Sequence, residues 1–335
     1  MWCSAMAVQL HLCWRWRVVC ALLALAMHAQ PLHAASNWFS PAAPTSPAGA
    51  NVSRIAENAS VPELGLKGVD GAQPQPRKRA LALLDDRCQP MAQETQESLS
   101  VITTRMQSRF GSFVPQRWGE GLPCVLSRLP ASSQLGKVRM ALTLDACGGG
   151  YDAGIIALLR QLRVPATLFV TGRWMREHPD AMADLAHDPL FELANHGTTH
   201  RPASVNGRAA YGIRGTASIA ELVEEVTGNG RRIAAVTGRP PAFFRPGTAY
   251  WDEVASRIAR ELGQMPAGFT VAADAGATLP APAVARNLLG AQDGAILLCH
   301  MNRPNSGTRE GLRAALPHLL ARGVQFVRLG DVQLP

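Results

Sequence analysis

The chain has 335 residues, of which 47% are hydrophobic, and a formal net charge of +8 at pH 7. This length allows one large domain or two ordinary ones with a sizeable core. Clustered lysine and arginine with interleaved aromatic residues are lacking, which argues against a nucleic-acid partner, whereas a modest basic excess suits anionic partners such as cell-wall polymer.

Residues 1–35 have the pattern of an export signal. Arg15 and Arg17 supply positive charge, the apolar run at 18–29 is short for a bilayer span, and Leu32-His33-Ala34 is an acceptable cleavage site. We therefore expect the folded part to be exported, either periplasmic or secreted. An uncleaved signal anchor is the alternative, and it would be the only membrane attachment that we expect.

Four of the seven cysteines follow this segment. Export permits disulfides, and Cys88 with Cys124 is the expected pair because both precede the main domain. Cys147 and Cys299 each neighbour a candidate site residue. We predict that both are small buried residues, with a second bridge or metal ligation as the alternatives.

The rest of the chain divides into three parts. Residues 36–79 are rich in Ala, Pro, Ser and Gly and show no apolar period, which is typical of a disordered linker. Residues 80–136 are predicted to be a helical lead-in, packed on the outside of the main domain at 137–335, because apolar residues recur there at helix spacing: Leu99, Ile102, Met106 and Phe110. A small substrate-binding module is the alternative for this lead-in.

Strands and helices alternate from residue 137 onward. Apolar strands are predicted at 140–144, 165–170, 190–194, 243–244, 269–273, 295–298 and 324–327, and helices at 153–162, 173–187, 219–236, 253–262, 281–289 and 309–322. Such alternation indicates parallel strands with helices outside, and roughly 200 residues of it suit an α/β fold of the distorted (β/α) barrel type with about seven parallel strands. A doubly wound sheet is the alternative, although Gly148-Gly149-Gly150 lacks the dinucleotide-binding spacing.

Ionisable residues follow five of these strands. They are Asp145 after the first, His196 and His200 after the third, Arg245 after the fourth, Asp274 after the fifth and His300 after the sixth. The carboxyl ends of the strands in a parallel barrel open on one face, which holds the active site. We therefore predict that these side chains converge.

Metal-assisted hydrolysis is the chemistry that such a set could perform. The His-x-x-x-His spacing can direct the rings of His196 and His200 at one divalent ion, for which zinc is the first candidate. Such an ion would polarise an acyl oxygen and lower the pKa of a bound water. Asp145 could act as general base, with Arg245 orienting it. His300 could protonate a leaving amine, with Asp274 holding its ring.

At these residues the sequence resembles the polysaccharide deacetylases, the NodB-homology group of carbohydrate esterases, over about residues 137–330. The family motif Thr-Phe-Asp-Asp-Gly is similar to the stretch 143–148, and His-Ser/Thr-x-x-His matches 196–200 with glycine at the hydroxyl position. Arg-x-Pro-Tyr is similar to 245–248 but departs at the last two positions. The fourth motif's aspartate corresponds to Asp274, without the Trp that often follows, and the final Leu-x-His fits 298–300.

The resemblance implies a distorted barrel that removes acetyl groups from N-acetylated sugars, as in peptidoglycan or chitin. It implies Asp145 as base, the two histidines of the second motif as metal ligands, and His300 as acid. It also places an oxyanion donor at the backbone N–H of Thr248.

One departure concerns the metal. The family's metal-binding aspartate aligns with Ala146, which cannot bind an ion. Asp145 could turn to the metal, Asp152 or Cys147 could substitute, or two histidines and waters could suffice, although catalytic zinc usually has three protein ligands.

Three functions remain open at this point. The first is an exported metal-dependent polysaccharide N-deacetylase. The second, which Ala146 favours, is a catalytically inactive glycan-binding relative on the same fold. The third is a barrel amidase that acts on a non-sugar acyl amide with the same chemistry.

Overall fold

An eight-stranded parallel sheet organises the computed structural model, which describes residues 97–130 and 137–333. These residues lie within one unit, Gly71–Pro335. The predicted signal peptide and linker fall outside the described residues. No helix within the described ranges is long and apolar enough to cross a membrane.

The helices and strands follow one another in the predicted alternation. The helices are α1 Leu99–Phe110, α2 Ala153–Leu162, α3 Gly172–Glu177, α4 Pro179–Ala186, α5 Ile219–Val223, α6 Asn229–Thr237, α7 Glu253–Glu261, α8 Ala281–Leu289 and α9 Thr308–Ala321. The strands are β1 Trp118–Gly119, β2 Arg139–Ala146, β3 Ala166–Val170, β4 Phe191–Asn195, β5 Ala209–Ala210, β6 Ile213–Arg214, β7 Phe243–Phe244, β8 Trp251–Asp252, β9 Met265–Pro266, β10 Val271–Ala272, β11 Ile296–His300 and β12 Gln325–Phe326.

Seven parallel strands in the order β10-β11-β2-β3-β4-β7-β9 form a half-barrel, and β12 pairs with the start of β2. The predicted fold class is confirmed. The segment 126–129 bonds to two parts of this sheet: the Leu126 N–H donates to the carbonyl of Pro266 in the edge strand β9, and the Leu129 N–H donates to that of Gly294 just before β11, the neighbour of the other edge strand. The lead-in therefore contributes backbone hydrogen bonds near both ends of the strand order.

The strands bury two faces of different character. On β2, alternate residues Met140, Leu142, Leu144 and Ala146 belong to the core beneath the helices, whereas Ala141 belongs to the core inside the half-barrel. Because successive side chains of a strand point to opposite faces, Thr143 and Asp145 share the inner face with Ala141. β11 alternates likewise, with Leu297 and Cys299 outside and Ile296 inside.

Two predicted helices are interrupted. The helix predicted at 173–187 breaks at His178, whose φ of −133° leaves the helical region directly before Pro179, as expected for a residue that precedes proline. The helix predicted at 219–236 contains a five-residue π-helix, Glu224–Gly228, between α5 and α6. Isolated π-turns of this kind often accompany functional sites.

One further difference concerns the edge of the sheet. β9 was not predicted: it is a two-residue strand that contains a proline, and it pairs with β7. In the lead-in, helix α1 buries Ile102, Met106 and Phe110 in a core shared with α5 and α7.

Of the cysteines, Cys124 forms a disulfide, while Cys88, the other half of the predicted pair, lies outside the described residues. Cys147 and Cys299 are free thiols. No second bridge joins them, because Cys299 lies in the helix-side core and Cys147 borders the opposite face.

Candidate active site

A cavity of about 560 Å³ opens where the strands end, and the predicted residues surround it. Its lining includes Asp145, Cys147, His196, His200 and His300. The two remaining predicted residues, Arg245 and Asp274, are fully buried beneath it. The structure thus brings all six predicted side chains together, while their chemical roles remain predictions.

Asp145 is held from below by Arg245. One guanidinium nitrogen, Nη1, donates to Asp145 Oδ1 at 2.7 Å and to Thr143 Oγ1 at 3.0 Å, and Nη2 donates to the Gly268 carbonyl at 2.7 Å. Burial would raise the pKa of Asp145, but the positive charges of Arg245 and the neighbouring histidines outweigh it and hold the pKa below its usual value. The carboxylate is therefore ionised, with Oδ2 facing His196 at 3.4 Å.

His196 has the tautomer that a metal ligand needs. Its Nδ1 lies 2.7 Å from the carbonyl oxygen of Arg245, an acceptor, so in the neutral ring Nδ1 carries the proton and Nε2 keeps its lone pair. Nε2 points to Asp145 Oδ2 and to the sulfur of Cys147, which is 3.5 Å away. Burial lowers the pKa of His196, but these two neighbours raise it overall, because they favour a positive charge between them.

His200 is held by a loop that depends on a glutamate. The carboxylate of Glu225, on the π-helix, accepts hydrogen bonds from the backbone of Thr199 and Arg201 at 2.9 and 3.1 Å and from Thr199 Oγ1 at 2.8 Å. A Cβ at Gly197 would overlap this carboxylate, which explains why glycine replaces the hydroxyl residue of the family motif. Glu225 was not predicted, because in sequence it is an ordinary helix residue.

Gly247 makes room for the same histidine. A Cβ built on Gly247 would overlap the carbonyl oxygen of His200 and approach its ring. His200 itself has a φ of +65°, a backbone conformation that is uncommon for a side chain of this size. The position of His200 thus depends on the close packing of two loops.

Cys147 enters the cavity because of the alternation along β2. Ala146 is fully buried in the core under the helices, so it faces away from the site, and the next residue returns to the cavity side. The Cys147 sulfur lies 3.5 Å from His196 Nε2, and the rings of His196, His200 and His300 all act on it electrostatically. Burial would raise the pKa of the thiol, but these three rings lower it well below its usual value.

Three ligand atoms in this cavity fit a metal ion. The sulfur of Cys147 and one nitrogen each of His196 and His200 lie within 4.8 Å of one another. Zinc bonds of about 2.3 Å to sulfur and about 2.0 Å to nitrogen, at a tetrahedral angle, separate the two atoms by about 3.5 Å, and the Cys147–His196 separation is 3.5 Å.

Of the alternatives to Ala146, the geometry favours Cys147 over Asp152. Asp152 Oδ1 accepts from the backbone of Gly154 at the start of α2 and from Arg309, so that oxygen serves as a helix cap. Asp145 stays within 3.4 Å of His196 Nε2, but Arg245 already holds its other oxygen.

His300 and Asp274 form a second buried pair. Asp274 Oδ1 lies 2.8 Å from His300 Nδ1, and Oδ2 accepts from the His300 backbone at 2.7 Å and from Thr308 Oγ1 at 2.8 Å. Burial lowers the pKa of His300, but the Asp274 contact and Cys147 raise it well above its usual value. The ring is therefore an imidazolium that can give up a proton.

Thr248 lies in the cavity wall with an unusual backbone. Its φ is +70°, and its buried Oγ1 has no hydrogen-bond partner among the residues that the structure describes. The predicted oxyanion donor at this residue therefore borders the cavity, and an unpaired hydroxyl accompanies it.

Residues 132–267 match the family model described as polysaccharide deacetylase. The match includes Asp145, His196, His200 and Arg245, and ends before Asp274 and His300. The resemblance predicted from the motifs is confirmed. A search of curated proteins finds no significant match.

Solved structures of family 4 carbohydrate esterases share the fold. The Bc1960 peptidoglycan N-acetylglucosamine deacetylase has 22% identity and a TM-score of 0.51 over 59% of this chain and 89% of its own. BA3943 from Bacillus anthracis, a CE4 family pseudoenzyme, has 22% identity and a TM-score of 0.50 over 59% and 66%. PdaA of Bacillus subtilis, a family 4 carbohydrate esterase, has 19% identity and a TM-score of 0.50 over 73% and 92%.

Proposed function

We propose that this chain, in which residues 132–267 form a polysaccharide deacetylase domain, is a metal-dependent hydrolase that removes acetyl groups from the N-acetylated sugars of a polysaccharide such as peptidoglycan or chitin. The observation that carries the proposal is the arrangement of one cavity. It combines a metal-ligand triangle, a buried base held by arginine and a buried acid held by aspartate.

Cys147, His196 and His200 would hold the ion, and zinc is the metal that best suits two imidazoles and a thiolate. When bound, such an ion supplies Lewis-acid chemistry: it polarises the acyl group and makes a water acidic. The histidine rings lower the pKa of Cys147 and so favour its thiolate, the form that binds a metal. Asp145 and Cys147 in turn raise the pKa of His196. The donor set therefore fits the group that the family implies.

The two buried pairs divide the proton transfers. Asp145, ionised because Arg245 holds its pKa down, takes a proton from the attacking water through Oδ2. His300, protonated because Asp274 raises its pKa, gives a proton to the departing amine. Opposite pKa shifts on neighbouring groups are the usual way to separate a base from an acid. Water thus adds across the amide C–N bond, releasing acetate and a free amine.

Acetate release is the direct test. The purified full-length protein, loaded with zinc, should release acetate from N-acetylglucosamine oligomers, a chelator should abolish the release, and His196→Ala should remove nearly all activity. No release by a protein that contains stoichiometric zinc would overturn the proposal.

An inactive glycan-binding protein is the second candidate, since a CE4 pseudoenzyme shares the fold. The intact Asp145–Arg245 and His300–Asp274 pairs favour the enzyme, because binding alone needs neither a base nor an acid. We further propose that the protein acts outside the cytoplasm. The charged and apolar pattern of residues 1–35 supports export.

A further inference from the structure

The rim of the cavity includes side chains that the proposed mechanism does not use, one of them outside the family match. Glu120, Tyr211 and Ile213 line the same cavity as Asp145 and His300. Glu120 precedes residue 132, where the family match begins, and Tyr211 is at the turn of the β5–β6 hairpin. None of the roles assigned above uses these side chains.

The segment that carries Glu120 is fixed to the domain. β1, directly before Glu120, pairs antiparallel with β8. The Glu253 carboxylate, at the start of α7, accepts from the backbone N–H of Gln116 and of Arg117 at 2.5 and 2.8 Å. These contacts fix the segment to the domain, so Glu120 holds a defined position at the cavity.

Aromatic rings form a continuous row behind this rim. The ring of Tyr211 meets that of Tyr250 edge-on at 5.5 Å, and Tyr250 packs against Trp118 at 5.7 Å. The guanidinium of Arg208 lies over Trp118 at 5.1 Å. Tyr211 is nevertheless 74% exposed, so much of this ring is free to contact a ligand.

Glu120 has acceptor capacity that the protein leaves unused. Tyr211 OH donates to its Oε1 at 3.3 Å, and in the described part of the chain no cation forms an ion pair with it. Burial raises the pKa of Glu120, and the Tyr211 contact offsets part of the rise. A half-buried carboxylate gains from a ligand that donates hydrogen bonds to it, because such bonds offset the cost of removing it from water.

We propose that Glu120 and Tyr211 form a subsite for a second sugar unit of the glycan, beside the unit that is deacetylated. A pyranose ring offers an apolar C–H face to a tyrosine ring and donor groups at its edge to a carboxylate. Side chains that combine an aromatic face with precisely placed polar atoms are typical of ligand pockets. This inference rests on the proposed function, because it assumes a saccharide in the neighbouring catalytic cavity.

Binding measurements test the subsite without requiring turnover. Intrinsic tryptophan fluorescence, to which Trp118 contributes, would follow titration of the full-length protein with the N-acetylglucosamine monomer and tetramer. Glu120→Gln and Tyr211→Ala are the test variants. Glu310→Gln on α9 and Val236→Ala on α6 are matched controls, because both residues are exposed and neither lines the cavity.

We expect the wild type and both controls to bind the tetramer at least about ten-fold more tightly than the monomer, a difference of about 1.4 kcal/mol. Each test variant should lose most of that difference. Equal binding of tetramer and monomer by the wild type, or an unchanged preference in both test variants, overturns the subsite. An oligomer preference that persists in a zinc-loaded protein releasing no acetate supports the subsite while refuting the proposed hydrolase. Titration with a tetramer that carries free amines in place of its acetyl groups shows whether the Glu120 carboxylate accepts hydrogen bonds from sugar hydroxyls or from an ammonium group.

Discussion

Replacing Cys147 by alanine should weaken zinc binding by about two orders of magnitude. Structural zinc sites with four ligands bind with about 10–16 kcal/mol, or about 3 kcal/mol for each ligand, and each 1.4 kcal/mol is about a factor of ten. Cys147 is one of three ligand atoms in the triangle with His196 and His200. Its loss would leave two imidazoles and the nearby Asp145, which Arg245 holds in place.

Two measurements report on the sulfur without any substrate. A cobalt-substituted wild type should show a sulfur-to-cobalt charge-transfer band in the near ultraviolet, and the Cys147→Ala protein should lack it. Zinc at 100 times the wild-type dissociation constant should raise the free energy of unfolding of the wild type by about 2.7 kcal/mol in thermal unfolding. At the same zinc concentration, a Cys147→Ala protein that binds zinc 100-fold more weakly should gain only about 0.4 kcal/mol.

Cys299→Ala is the matched control. Cys299 is the other free thiol among the described residues, and it is fully buried in the core beneath the helices. Its replacement should leave the cobalt band and the zinc affinity unchanged, even if it lowers stability. A Cys147→Ala protein that keeps both the band and the affinity would refute the thiolate ligand.

Three further substitutions test the remaining parts of the site. Asp145→Asn should lower acetate release by about 10²–10⁴-fold, the usual contribution of a general base, with zinc content unchanged by elemental analysis; full activity would contradict the base role. Asp274→Asn removes the carboxylate that raises the pKa of His300, so His300 should lose its proton at lower pH. The alkaline limb of the pH profile of kcat/KM should therefore move to lower pH. An unmoved limb would argue against His300 as the acid. Gly247→Ala should cost about 1–3 kcal/mol of stability, measured by chemical denaturation, because overpacking forces neighbouring atoms apart and the new Cβ meets the His200 carbonyl. Gly121→Ala has open space around it and is the control; equal stability of the two variants would contradict the steric argument.

The arrangement of the active-site residues could be predicted because it depends on a regular feature of parallel sheets. Carboxyl ends of neighbouring strands lie at one edge, so Asp145, His196 and His300 had to lie close together once their strands paired. Some helix bounds could also be predicted, as for α2 and α8, which match the predicted 153–162 and 281–289.

Other features depend on contacts that leave no local pattern in the sequence. β9 has only two residues, one of them a proline, so it shows no alternation to detect. Glu225 acts on a loop 24 to 26 residues away and reads as an ordinary helix residue. The role of Cys147 follows from which face of β2 each residue occupies, and that requires knowing where the strand ends. The break at His178, by contrast, was readable from the proline that follows it.

The placement of the lead-in affects how this protein should be shortened for study. A truncated form beginning at residue 132, the first position of the family match, would lose α1 from the core that it shares with α5 and α7. It would also leave the backbone of Pro266 and Gly294 without the hydrogen bonds from segment 126–129. Loss of these bonds would leave backbone groups of the sheet exposed, which promotes aggregation, so insolubility of such a fragment would reflect the missing segment rather than an unstable α/β domain.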